Sequence, residues 1–485
     1  MLDSEKNKYD AVIGLEIHIQ LLTDSKAFSA DYTNYGDLPN SNISPVSVGY
    51  PGALPKVNKN VIEYAVRLGL ALNAKIDRNI VFSRKNYFYP DMPKGYQITQ
   101  YKYPICSNGY IIIKDKDKNE KKINIKRIHI EEDSAKSIHH LSKNHTFIDY
   151  NRAGVPLLEI VTKSEISSGT EAVNFINEIR KLVRFLNICD GDMEKGSLRC
   201  DANVSVKLKT SKILGNRIEI KNLNSTGNLK KAIEYEISNQ INNISLGQKI
   251  LQQTKGFNAD TGKTFKLRDK EDINEYRYFP EPDINPVVLS QEYIENIKQH
   301  LPVLPFVLYK KYTNGLGISA QAAESITENK NIVAFFEEVI KHTTHYSLAA
   351  NFITISLKKY LNENNLNFSD IKLKPEYFAQ LIELIEEHKI IKLIAENNLL
   401  PLMIDNPNLS PFEIAEENNF IVDKDLSNIN NNIKIVIKKY PGKVKEYKNG
   451  NKALMGLFMG EIMKMTNYKA DPKLVNKLLL KILDE

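Results

Sequence analysis

Apolar and polar residues alternate with a period of two along several stretches of the chain. In GLEIHIQ (14–20), Leu15, Ile17 and Ile19 point one way and Glu16, His18 and Gln20 the other, as in a half-buried strand. AVIGLEIHIQL (11–21), GYIIIK (109–114), INIKRIHI (123–130), DANVSVKL (201–208) and NRIEIKN (216–222) read as strands on the same ground. The charged DKDKNEKK (115–122) reads as an exposed hairpin loop between two of them. The period lengthens to that of an amphipathic helix in NVIEYAVRLGLALNA (60–74), TEAVNFINEIRKLVRFLNI (170–188) and NLKKAIEYEISNQINN (228–243). The pattern predicts an α+β domain over residues 1–295, an antiparallel sheet carrying helices.

EPDINPVV (281–288) holds two prolines and resembles a boundary, and beyond it the pattern turns helical. PLMIDNPNLSP (401–411), with three prolines in eleven residues, reads as a second linker. The predicted divisions are therefore a catalytic cradle (1–295), a helical domain (296–405) and a helical tail (406–485).

At 485 residues, with 42% apolar and 26% charged positions, the chain has the composition of an ordinary soluble protein. No apolar run approaches the ~20 residues that span a bilayer. The polar start MLDSEKNKYD predicts no signal peptide. Cys106, Cys189 and Cys200 lie far apart and form no CxxC, which suggests a reducing cytoplasm and neither a disulfide framework nor a thiolate zinc site. Between Lys434 and Leu483, twelve lysines face three acids, +9 against a chain total of +7. A basic tail is compatible with nucleic acid, and equally with a solvated lysine-rich helical face.

Three tempting motifs carry little. GFNADTGKT (256–264) has five residues between its glycines where a P-loop needs four, and strand-like flanks make NADTGK a hairpin turn. HHLSKNH (139–145) reads as an exposed loop with surface histidines. Met455, Met459 and Met463, spaced i, i+4, i+8, form a helix stripe that packs inward.

The strand faces carry more. IHIEEDSAK (128–136) sets His129 and Glu131 on one side and Glu132 on the other. CDANVSVK (200–207) groups Asp201, Asn203 and Ser205, and RIEIKNLNS (217–225) groups Arg217, Glu219 and Lys221. If these strands are neighbours, their carboxylates converge, and converging carboxylates raise one another's pKa or demand a cation. Oxygen ligands with one imidazole suit Mg²⁺ or Mn²⁺ better than zinc. Exposed antiparallel strands alternate in the same way with no ligand, so spacing alone leaves both readings open.

These same stretches resemble the B-subunit (GatB/GatE) family of aspartyl/glutamyl-tRNA amidotransferases. The resemblance runs through GLEIHIQL (14–21), YPGALPKVN (50–58), SRKNYFYPDMPKGYQITQ (83–100), HIEEDSAKS (129–137), NRAGVPLLEIV (151–161), GSLRCDANVSV (196–206), EIKNLNS (219–225) and NEYRYFPEPDINP (274–286). It continues into YKNGNKALMGLFMGEIMK (447–464) and DPKLVNKLL (471–479).

The resemblance implies a cradle similar to the glutamine synthetase fold and a tail similar to the YqeY family. It implies ATP-dependent phosphorylation of the side-chain carboxylate of misacylated Glu-tRNA(Gln) or Asp-tRNA(Asn). Ammonia from a glutaminase A subunit then displaces the phosphate, and a small C subunit completes a cytoplasmic heterotrimer. Carried over by motif, His18, Glu132, Asp201 and Glu219 are expected as Mg²⁺ ligands, with Glu16 a further one. Lys85, Tyr87, Tyr89 and Lys94 are expected to line the ammonia exit or meet phosphate; packed aromatics in a rigid loop are the plainer reading. Glu16, His18, Lys85, Tyr87 and Glu132 are the expected catalytic set. Arg152 and Arg199 are candidates for phosphate or the tRNA 3′ end, and Lys448, Lys452 and Lys464 for tRNA. Some family members carry a four-cysteine zinc knuckle; here Ser29, Asp31, Ser44 and Ser47 stand at those positions. Hydroxyls and one carboxylate do not make a structural zinc site, so no zinc is expected, and packing or the acceptor end of tRNA is expected to hold the loop. Two other functions fit less well: a tRNA-binding adaptor with a decayed site, against which the intact acids and histidine argue, and a stand-alone small-molecule ligase, which has no use for a basic tail.

Overall fold

The computed structural model describes residues 7–139, 141–269, 276–422, 426–466, 470 and 472–484. His140, Asn274, Glu275, Lys469 and Asp471, which belong to stretches singled out above, lie outside the described residues. The chain divides into two compact units, 1–304 and 305–485.

The first unit is built on nine strands: β1 (Tyr9–Gln20), β2 (Lys75–Ile76), β3 (Cys106–Lys114), β4 (Glu120–Glu132), β5 (Pro156–Thr162), β6 (Leu198–Leu208), β7 (Ile218–Leu223), β8 (Gln253–Asn258) and β9 (Lys263–Asp269). They form one sheet in the order β9-β8-β7-β6-β1-β5-β4-β3-β2. Every pairing is antiparallel except β7 with β8. The expected strands are all present. β5 adds one that alternation does not announce, because PLLEIVT reads as a nearly unbroken apolar run, as central strands buried on both faces do. The 256–264 stretch is a turn between β8 and β9, with Gly262 at φ 65°.

Helices α1 (Lys59–Ala71), α2 (Gly169–Phe185) and α3 (Thr226–Ser245) share one core with the apolar sheet face. Ile13, Leu15, Ile17 and Ile19 of β1 are fully buried in it. Burying one such side chain contributes about 1.5–3 kcal/mol, so a one-residue register slip, which would turn all four outward, is strongly disfavoured. Each helix starts on a side-chain cap: Asn58, Ser168 and Ser225 accept from the backbone N–H of Asn60, Glu171 and Asn228. In α1 a Cβ at Gly69 would stand 2.4 Å from the Cys106 sulfur, so only glycine lets that helix approach β3.

The proline-bearing stretch 281–288 is no free linker. The Glu281 carboxylate is fully buried against Arg84 (2.7 Å), and Val287–Val288 pairs with Asn79–Ile80. A paired carboxylate and a strand bridge fasten this segment to the first unit; proline content alone does not reveal such ties.

The loop holding Ser29, Asp31, Ser44 and Ser47 closes on a polar knot, where packing was the first expectation. The Asp31 carboxylate accepts from Ser29 (2.9 Å), Ser44 (2.9 Å) and Ser47 hydroxyls. Beside it, at 4.0 Å, the fully buried Lys26 ammonium donates to the carbonyls of Asn42 (2.8 Å) and Tyr150 (3.3 Å). Burial pulls the Lys26 amine down to about 8 while Asp31 holds it up. Its charge is therefore retained at neutral pH.

The second unit is helical in all its described regular elements. Phe335, Phe352 and Phe378 pack edge-on, with centroids 5.3 and 5.9 Å apart. A further core joins the helices Leu426–Lys439, Met455–Met465 and Pro472–Asp484, with Met455, Met459 and Met463 turned into it. Among the described residues no helix is long and apolar enough to cross a membrane.

The Asp31→Ala variant leaves a buried ammonium without its counter-ion and should lower the unfolding free energy by about 3 kcal/mol, read by urea titration of the purified chain. A loss under ~0.5 kcal/mol would show that the knot does not hold the loop.

Candidate active site

The sheet's second face is polar, and its register sets the site. His18 on β1 stands opposite Arg199 on β6 and Glu159 on β5. Glu16 stands opposite Asp201, Glu159 opposite His129, Leu157 opposite Glu131, and Asn203 opposite Glu219. Five consecutive strands, β7, β6, β1, β5 and β4, thus each turn one carboxylate to this face: Glu219, Asp201, Glu16, Glu159 and Glu131. Strands about 4.8 Å apart force such groups together.

At one end of the row the His18 Nε2 lies 3.8 Å from both Glu131 and Glu159. His129 Nδ1 lies 3.5 Å from Glu159. One donor atom each from His129, Glu131 and Glu159 fall within 4.8 Å of one another, and the buried His129 Nε2 has no hydrogen-bond partner. Burial, aided by Arg199, Lys221 and Lys85, pulls His18 down to about 3; burial, aided by Arg127, pulls His129 to about 4. Both imidazoles are neutral at pH 7, the form that ligates metal. Burial, with Glu16 nearby, raises Glu159 to about 7, and burial with Glu159 raises Glu131.

At the other end Asn203 donates to Glu16 (2.9 Å), and Thr254 to Glu219 (3.2 Å). Lys221 bridges Asp201 (3.2 Å) and Glu219 (3.1 Å). Burial opposes its charge, but the two carboxylates outweigh burial and hold the Lys221 amine above its ordinary value. Burial lifts Asp201 in turn. At the end holding Glu131 and Glu159, acids pushed upward beside neutral imidazoles make no ion pair with a lysine or arginine among the described residues. Such a set fits a divalent cation with oxygen preference.

Two cavities flank the row. One, of about 480 Å³, is lined by His18, Tyr87, Glu131, Arg199, Asp201 and Lys221. The other, of about 400 Å³, is lined by Glu16, Asn203, Lys126, Arg127, Lys163 and Arg217. It therefore carries four cationic side chains against one acid. The buried Arg127 Nε and Asn203 Oδ1 have no partner.

The structure gathers Glu16, His18, Asp201 and Glu219 on one face, as the sequence reading expects. It puts Glu131 beside His18, where Glu132 was expected. Alternation turns Glu132 the other way, onto Lys94 and the Ile98 N–H (2.9 Å). Lys94 is thereby committed to Glu132 and does not line either cavity. Lys85 acts electrostatically on His18, Glu131 and Glu159, and Tyr87 lines the first cavity. The Tyr89 ring is half-exposed, 5.9 Å from that of Tyr87. Arg199 lines the first cavity and donates to Asp133 (2.7 Å). Arg152 spends its guanidinium on the Ser134 and Ala135 carbonyls and stands 3.6 Å from Asp133, behind residues of the first cavity without lining it. In the second unit Lys448, Lys452 and Lys464 are exposed, Lys452 lying over the Tyr447 ring at 4.1 Å. Sequence reasoning missed Glu159. Its signal was a single acid inside an apolar central strand, where a charge has no solvent to meet.

Residues 11–295 match the family described as the GatB/GatE catalytic domain, and residues 334–483 the GatB domain. The chain is 44% identical to the B subunit of the aspartyl/glutamyl-tRNA(Asn/Gln) amidotransferase of Thermodesulfovibrio yellowstonii, over 99% of this chain and 100% of the relative. It is 42% identical to the protein of the same name in Persephonella marina, over 98% and 100% of the two chains. It is also 42% identical to the B subunit of the glutamyl-tRNA(Gln) amidotransferase of the Paulinella chromatophora chromatophore, over 98% and 97%.

Because Glu159 binds its proton more tightly when folded, with a value near 7 against 4.5, the native state holds more protons than the unfolded chain between those pH values. Stability should fall as pH rises through that window, and a bound cation should cancel the fall. Millimolar Mn²⁺ is expected to raise the melting temperature by several degrees at pH 8 and little at pH 5, with the difference abolished in Glu159→Gln. Equal shifts at both pH values would contradict this.

Proposed function

The chain belongs to the GatB/GatE catalytic-domain family, and from that membership we propose that it is the B subunit of a tRNA-dependent amidotransferase. It uses ATP to phosphorylate the side-chain carboxylate of Glu-tRNA(Gln), Asp-tRNA(Asn) or both. Ammonia then replaces the phosphate, giving the amide for protein synthesis in the cytoplasm. The observation that carries the reading is the carboxylate row lying between two cavities of different character.

A carboxylate is a poor electrophile. Its oxygen must first attack the γ-phosphorus, expelling ADP, and the acyl phosphate then gives ammonia a good leaving group. The first cavity suits the aminoacyl end. The nearby Lys85 and the Arg199 Nε, which has no hydrogen-bond partner, supply positive charge to orient a substrate carboxylate, and Tyr87 closes one wall. The second suits a polyphosphate: Arg127, Arg217, Lys126 and Lys163 offer donors, and the unpartnered Arg127 Nε is one of them. Between the cavities the row alone would repel both substrates. Mg²⁺ held by His18, His129, Glu131 and Glu159, and by Glu16, Asp201 and Glu219, would neutralise that repulsion and the charge that develops during transfer.

All three thiols are buried, which lifts Cys189 to about 12 and Cys106 and Cys200 likewise upward. None of them is presented as an accessible thiolate nucleophile, and ammonia comes from a glutaminase A subunit in a heterotrimer with a small C subunit. The polar sheet serves as the counterpart of a glutamine-synthetase cradle. The lysine-rich helices of 434–483 act as the YqeY-like tRNA contact, with Lys448, Lys452 and Lys464 on the surface.

The test uses the chain co-purified with its A- and C-type partners. ATP hydrolysis should depend on Glu-tRNA(Gln) or Asp-tRNA(Asn). Loss of Arg127 and Arg217 together should raise the KM for ATP about tenfold or more while the KM for charged tRNA stays put. Arg199→Ala should do the reverse. Hydrolysis indifferent to charged tRNA would overturn the function.

A further inference from the structure

We propose that Tyr276 is a positioning residue whose ring face holds the Lys85 ammonium beside the first cavity; this rests on the reading of that cavity given above. Lys85 sits on the short strand Ser83–Asn86, and its Nζ lies 4.8 Å from the Tyr276 ring centroid and 5.9 Å from that of Tyr87. Among the described residues it makes no ion pair, although Glu131 and Glu159 both feel its charge. A cation held by ring faces keeps its charge available. One seated on a carboxylate, as Lys94 is on Glu132, has already spent it.

The segment that carries Tyr276 is built to hold the ring there. Arg277 has φ 42°, a left-handed conformation that a non-glycine residue adopts only under constraint. Asn86 supplies the constraint by donating to the Arg277 carbonyl (2.8 Å). On the far side of the bend Tyr278 stacks on Tyr101, centroids 4.3 Å apart and planes within 8°, while its edge meets Tyr276 at 6.2 Å. Phe279–Pro280 then pairs with Ser83–Arg84, and Arg84 closes on Glu281. Lys85 thus rides on one of two strands latched to each other, and Tyr276 lies three residues before the other, tied back through Asn86 and the Arg277 carbonyl. The sequence hints at this only as YRYF (276–279), three aromatics around one arginine.

The experiment is made in the assembled complex. Tyr276→Phe and Tyr276→Trp keep a ring face and are expected within about twofold of wild type in kcat for amidation. Tyr276→Leu keeps bulk without a π face and is expected to lower kcat about five- to thirtyfold, with KM for ATP little changed. Reductive ¹³C-methylation gives a readout that mere structural support would not move. The Lys85 resonance, assigned as the one absent from Lys85→Arg, should be shifted upfield by the ring in wild type and Tyr276→Phe, and should return to the exposed-lysine position in Tyr276→Leu. An unshifted resonance in wild type overturns the proposal, as does Tyr276→Leu with full kcat, or Tyr276→Phe as impaired as Tyr276→Leu. Should Tyr276→Leu fail to fold, the wild-type and Tyr276→Phe resonances still decide. Full amidation by Lys85→Met would instead overturn the reading of the cavity itself, so the two failures are told apart.

Discussion

Five neighbouring strands each turn a carboxylate to the same side of a sheet, at a spacing fixed by backbone hydrogen bonds. That mutual repulsion is the constraint from which the rest of the first unit follows. Like charges at such distances cannot all stay ionised in a partly buried place unless something positive joins them. The molecule answers in three ways. Lys221 bridges two of the acids, Glu159 is pushed toward holding a proton, and the two imidazoles beside them stay neutral. The apolar side of the same strands explains why the arrangement persists. Four fully buried residues of β1 alone lock the register that keeps Glu16 and His18 in the row.

The row also divides the space above the sheet. Histidine, tyrosine and Arg199 gather on one side, and four cationic residues on the other, with Glu16 on the second cavity's floor and His18 in the first. The phosphoryl transfer proposed above would use such a division, each anionic partner being drawn in by its own cations. Peripheral ionic ties keep the surrounding loops in place without taking charge from the centre. Lys94 is matched by Glu132, Arg84 by Glu281, and Lys26 by Asp31 and backbone carbonyls.

Much of this was legible in the chain, for a definite reason. Period-two alternation places Glu16, His18, Asp201 and Glu219 without any tertiary knowledge, and it also sets Glu131 and Glu132 on opposite sides. Following family motif over alternation put Glu132 in the ligand set, whereas the structure puts Glu131 beside His18. Glu159 stayed hidden because an acid in an apolar run gives no face. Only β5's place between β1 and β4 reveals which way it points. The polar knot at Asp31 and the return of residues 281–288 onto the first unit were invisible for a related reason. The return of 281–288 depends on contacts with segments about 200 positions away, and the knot on how one polar loop closes on itself, whereas local composition suggested linker and loop. The aromatic seat of Lys85 is of the same kind, since Tyr276 is 191 positions away.

The central claim, that the carboxylate row exists to hold divalent cations, is tested most directly by anomalous scattering. A crystal of the complex soaked in Mn²⁺, with diffraction recorded near the manganese edge, should show anomalous density between His18, Glu131 and Glu159, and again among Glu16, Asp201 and Glu219. A well-ordered row with no anomalous density at millimolar Mn²⁺ and pH 8 would contradict the account.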